Sequence, residues 1–177
     1  MRVEVVRSAR RRKTVEAKKV DGVLRVSIPA RMTKAEEAHW VGVMVKRFER
    51  WESTEHIDLP ARAESLARRF GLPRPASVRW VDNQRDRWGS CTIDDGSIRL
   101  STRLATFPRW VVDYVLVHEL AHLAVPDHSK AFWELVHRYP RAERAMGFLI
   151  AKGLGEDAAG GDPDVVPDGE PRRLFPV

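Results

Sequence analysis

Between Trp110 and Val125 the chain is apolar except for Asp113, His118, Glu119 and His122. Burying such groups is costly unless they are paired or bound to a metal, so this stretch constrains both fold and chemistry more than any other. Its apolar residues, Trp110, Val111, Tyr114, Val115 and Leu116, fit a helix opened by Pro108. Within that helix Val117-His118-Glu119-Leu120-Ala121-His122 contains H-E-x-x-H. Residues four apart share a helix face, so two imidazole nitrogens can meet one ion at about 2.0–2.1 Å. Glu119 stands beside the first ligand, where its carboxylate can take a proton from a water activated by the metal. The expected chemistry is zinc-dependent hydrolysis by attack on a carbonyl carbon.

A catalytic zinc takes three protein ligands and keeps one position open. His128 follows His122 by six residues, beyond a helix stop at Val125-Pro126-Asp127. In the metzincin pattern H-E-x-x-H-x-x-G-x-x-H a glycine makes this turn, and Val125 stands in its place. His128 is the favoured third ligand, with Glu134 and His137 on the next helix as competitors. His39 and His56 read as helix-surface and loop residues without a role. A purely structural zinc would need a fourth protein ligand, and none is evident. Three imidazoles suit zinc, although another divalent ion is compatible with them.

The rest of the chain predicts the setting. Val3–Val6, Thr14–Ala17 and Val23–Ile28 read as a small three-stranded antiparallel sheet, with Asp21-Gly22 as a hairpin turn and Arg10-Arg11-Arg12-Lys13 between the first two strands. Thr33 and Glu36 have capping-box spacing before a long amphipathic helix to Trp51. A second helix is expected from Leu59 to Phe70, stopped by Gly71 and Pro73. Ser77–Val81 and Ser97–Ser101 read as strands, and further helices over Ser129–Tyr139 and Ala142–Lys152. The expected organisation is an N-terminal β-rich extension over 1–30 packed on a main domain over 31–153, followed by a flexible acidic tail over 154–177.

Composition adds limits. With 177 residues, 43% apolar and 32% charged, the chain suits one soluble domain with an appendage. The single cysteine, Cys91, excludes an internal disulfide, and the first residues lack a signal-peptide core, so the expected address is the cytoplasm. No apolar run is long enough to span a membrane. Residues 1–50 hold fourteen Lys/Arg against six Asp/Glu, whereas 154–177 hold two against six. A nucleic-acid-associated protein that binds through its basic N-terminal sheet is therefore the alternative reading.

Several segments together, Arg87-Trp88-Gly89-Ser90-Cys91, Ile98–Leu104, Val112–His122, His128-Ser129 and Phe132-Trp133, resemble the YgjP-like metallopeptidase domain family over about residues 8–153. The resemblance implies a zincin-like α+β fold, zinc held by His118, His122 and His128, a peptide or protein substrate, and kinship with SprT-like proteases. It further suggests that Ile98–Ser101 is the sheet edge beside an extended substrate. Arg87 or Ser90 is a candidate to hold an oxyanion, set against plain packing by Trp88 and a bend at Gly89. Cys91 is expected to be an ordinary strand residue, with a fourth metal ligand or a nucleophile as the other readings. Asp113 is expected on the helix surface, with a hydrogen bond to a metal ligand as the other reading, and Phe132 and Trp133 are expected beneath the ligand helix.

Overall fold

The computed structural model describes residues 2–84 and 86–159. The protein is α+β and divides into two compact units, Met1–Ser53 and a second that begins at Thr54. Among the described residues no helix is long and apolar enough to cross a membrane.

The first unit holds β1 (Arg2–Ser8), β2 (Glu16–Val20), β3 (Val23–Pro29) and α1 (Lys34–Thr54). Asp21 and Gly22, with φ of 50° and 78°, make the hairpin turn between β2 and β3. The sheet order is β1-β3-β2, with β2 antiparallel to β3 but β1 parallel to it. The expected all-antiparallel sheet is thus mixed. Residues 9–15 carry the chain from one edge strand to the other, and the hairpin then returns β3 between them.

Leu24, Val26 and Ile28 alternate along β3 and are fully buried against Val41, Met44, Val45 and Phe48 of α1. That packing joins α1 to the sheet and moves the expected boundary at residue 30 to residue 53. The capping box forms, with the Glu36 carboxylate accepting from Thr33 N at 2.7 Å and Thr33 Oγ1 accepting from Glu36 N at 3.2 Å. Many of the basic residues already face carboxylates: Arg7 pairs with Glu37, Arg11 and Lys18 with Glu16, Lys19 with Glu52 and Arg25 with Glu4.

In the second unit α2 (Leu59–Phe70) begins where the Asp58 side chain accepts from Ala61 N at 3.0 Å. It ends at Gly71, whose φ of 63° permits the left-handed cap, with Leu72 N donating to Ala67 O at 2.9 Å. The sheet here contains β4 (Ser77–Val81), β5 (Gly89–Thr92) and β6 (Ser97–Ser101) in the order β4-β6-β5. β6 runs parallel to β4 and antiparallel to β5. It is therefore the central strand, with Ile98 and Leu100 fully buried, and the expectation that Ile98–Ser101 forms the edge is wrong. The alternation of β6 identified a buried face, which a central strand and an edge strand share.

A short 3₁₀ turn (Thr102–Thr106) leads to α3 (Arg109–His122), α4 (Lys130–Val136) and α5 (Ala142–Ala159). Every residue of α3 from Val111 to Ala121 is buried, packed against α2, the sheet, α4 and α5. α4 is shorter than expected. α5 continues past 154 into the stretch assigned to the tail; the remainder of that tail, 160–177, lies outside the described residues.

Candidate active site

The three expected ligands meet. One ring nitrogen from each of His118, His122 and His128 falls in a single group whose members all lie within 4.8 Å of one another. Nε2 of His118 and Nε2 of His128 are 3.3 Å apart. Two ligands about 2.05 Å from a tetrahedral ion stand about 3.3 Å apart, so this pair already has the spacing of one edge of such a site. Nδ1 of His122 lies 3.3 Å from the Val125 carbonyl, which can accept its proton and leave Nε2 for an ion.

The turn that delivers His128 needs no glycine. Ala124 N and Val125 N both donate to Ala121 O, at 3.0 and 2.9 Å, and Leu123 is right-handed, so α3 winds on before Pro126 ends it. Among the described non-glycine residues only Asp21 has positive φ, so Val125 is unstrained here. Asp127 Oδ1 then accepts from Ser129 N at 3.3 Å and shapes the approach to α4.

Phe132, fully buried, forms a floor under all three rings, stacked on His122 at 4.4 Å and edge-on to His128 and His118 at 4.7 and 4.9 Å. Trp133 flanks His128 at 5.8 Å. Burial lowers the pKa of all three histidines, most strongly for His118, where His122 and His128 add to the effect. Neutral imidazole is the form that binds a metal. The competitors stand apart: Glu134 is an exposed partner of Lys130, and His137 faces Glu143 at 2.9 Å. His39 packs edge-on to Trp40, within the first unit. His56 lines a cavity of about 350 Å³ with Arg62, Arg109 and Asp113, a space bordered by none of the three clustered histidines.

Glu119 is 6% exposed, and burial raises its carboxyl pKa to about 8 against the pull of the exposed Arg87 guanidinium. Gly89 lies directly against that carboxyl. This corrects the expected bend: the positive-φ glycines are Gly22, Gly71 and Gly96, and Gly89 instead permits a close approach. Trp88 fills core, with the Arg103 guanidinium 3.9 Å over its ring. The Ser90 hydroxyl accepts from Gln84 Nε2 at 2.7 Å, and alternation turns it to the face opposite Gly89. The Cys91 thiol is pushed up to about 11 by burial, then by Glu119 and Asp95, so it is neither a thiolate nor part of the imidazole group.

Asp113 is also corrected. It is buried, and Arg62 of α2 donates to both its oxygens, from Nε at 2.6 Å and Nη2 at 2.5 Å. Its helix position resembled a surface site because its partner lies 51 residues away in sequence.

The three histidines, the adjoining Glu119 and the Arg87–Cys91 segment together match a known pattern. The YgjP-like, metallopeptidase domain profile fits residues 9–146. The chain belongs to the YgjP-like metallopeptidase family. Membership makes it a metallopeptidase and implies a metal, for which the three imidazoles are a suitable donor set. No curated protein matches the YgjP-like chain significantly. Among solved structures it is similar to the metallopeptidase zymogen abylysin of Pyrococcus abyssi, at 26% identity over 52% of this chain and 91% of that one, with a TM-score of 0.47.

Proposed function

We propose that this YgjP-like protein is a zinc-dependent peptidase in which His118, His122 and His128 hold the metal and Glu119 is the general base and then the general acid. The observation that carries this reading is the convergence of one ring nitrogen from each of His118, His122 and His128, with the buried Glu119 next to His118 in α3. Zinc bound there would bring the pKa of a coordinated water to about 7 and polarise a substrate carbonyl. A zinc ion bound beside it would favour the ionised form of Glu119, whose carboxylate would accept a proton as water attacks and return it to the departing amide nitrogen. Phe132 keeps the base of the site dry and fixes the ring planes.

The substrate reading moves from β6 to β5. Ser101 N donates to Trp88 O at 2.9 Å, and the antiparallel register pairs Gly89 with Leu100 and Cys91 with Ile98. Hydrogen bonding alternates along such a pair, so the main-chain groups of Gly89 and Cys91 turn away from β6. Among the described residues no strand occupies that edge. An extended peptide can add to it by main-chain hydrogen bonds, which suits a peptide or protein substrate.

The deciding experiment combines elemental analysis with turnover of fluorescein-labelled casein. The parent is expected to hold about one zinc per chain, lost in His118→Ala and His128→Ala. Glu119→Gln is expected to keep the zinc and lose about 10²–10⁴-fold in turnover. Zinc retained by His128→Ala would overturn the ligand set, and parent-like turnover by Glu119→Gln would overturn the mechanism.

A further inference from the structure

Gly89 approaches Glu119 more closely than any residue with a side chain can. A Cβ on its backbone would stand 2.6 Å from Oε1 and 3.0 Å from both Cδ and Cγ of Glu119, where ordinary contact begins near 3.4 Å. The backbone conformation does not require glycine, since Gly89 is absent from the positive-φ residues. Glycine within a strand gives up side-chain packing and loses more conformational freedom on folding than other residues, so its presence here marks a close approach.

Neither backbone can retreat, so the Glu119 side chain must give. Glu119 belongs to the run of α3 that is buried on every side. The strand is anchored at Trp88, whose carbonyl accepts from Ser101 N and whose ring packs on Phe107 at 5.3 Å beneath Arg103. A methyl group at position 89 would therefore displace the carboxyl by nearly an ångström.

We infer that Gly89 is a positioning residue for Glu119: its bare Cα is the wall that sets the carboxyl, and its outward main-chain groups lie on the edge open to a peptide. One residue thus fixes the distance between the base and a chain laid along β5. The inference rests on the reading of Glu119 as the base, but its principal test does not depend on turnover.

That test is a double-mutant cycle read by thermal unfolding of the full chain: parent, Gly89→Ala, Glu119→Ala and the pair. Gly89→Ala is expected to lower Tm by several degrees in the parent and by far less once Glu119→Ala has removed the colliding atoms. Equal losses in both backgrounds would overturn the inference. If Gly89→Ala does not fold, recovery of folding in the double variant supports it, and failure of the double variant overturns it.

The second arm measures zinc content and casein turnover of Gly89→Ala, or of Gly89→Ala at reduced temperature if it is marginally stable. Zinc is expected to stay at the parent level while kcat falls about 100-fold with little change in KM, the signature of a displaced base. Parent-like kcat, or loss of zinc in step with kcat, would overturn the positioning role. A parent without casein turnover would count against the peptidase reading alone, because the unfolding cycle still reports on the contact between Gly89 and Glu119.

Discussion

Among the described residues of Met1–Ser53 the apolar core is formed by Leu24, Val26 and Ile28, and charged residues meet in exposed or half-exposed pairs such as Arg25 with Glu4. From Thr54 onward the core is larger and also encloses Asp113, His118 and Glu119. The first arrangement is what burial of apolar area alone produces. The second accepts polar groups in the interior and neutralises them by different means: Asp113 through the Arg62 guanidinium, His118 and Glu119 by shifts in pKa that favour their uncharged forms. A core that carries such groups stores chemistry at the expense of stability, whereas the apolar core of the first unit carries none.

Truncating Phe132 to Ala is the strongest way to sharpen this contrast, because it opens the core of the second unit and removes the floor of the imidazole group. We expect a loss of about 3–5 kcal/mol in unfolding free energy, together with weaker zinc binding in a competition titration. Unchanged zinc affinity would show that the rings do not depend on that floor. Leu24→Ala probes the other side of the comparison. It should cost about 2–5 kcal/mol in the transition of the first unit while zinc content stays at the parent level. Loss of zinc in that variant would break the division into a structural unit and a chemical one.

A further effect is on the pH dependence of the metal-free protein. Folded-state pKa values of the three histidines lie below the unfolded value of 6.5, so below that pH the unfolded chain binds protons that the folded chain does not, and stability falls. Glu119 acts in the opposite sense. Its pKa rises from 4.5 to about 8, so between those values the unfolded chain is ionised first and stability declines as pH rises. Glu119→Gln should therefore gain in Tm relative to the parent between pH 5 and pH 8.5, as measured by calorimetry on chelator-treated protein. A constant difference across that range would mean that Glu119 ionises as freely in the folded chain as in the unfolded one.

Much of this was legible in sequence because it is local. Asp58, Gly71 and the Thr33–Glu36 pair bound helices through hydrogen bonds to nearby residues, and His118 and His122 lie on one face by helical period alone. His128 was reachable by its spacing. Strand partnership was not, because alternation in β1 and β6 assigns a face and says nothing about which neighbour lies on either side. Cys91 was expected on a strand, but the bounds of β5 were not legible because Gly-Ser-Cys-Thr lacks β-branched and aromatic residues until its end. Gly89 and Asp113 were misread for one reason: each is explained by a contact with a residue distant in sequence, Glu119 or Arg62.

The continued winding of α3 through Ala124 and Val125 bears on how such sites are recognised. Because no residue between His122 and His128 takes a positive φ, the letter glycine in that interval is one solution to a reach problem rather than a requirement for bringing the third histidine to the group. A motif search that demands glycine there would pass over this chain, whereas one that asks for a helix overrun, a proline stop and a histidine would retrieve it.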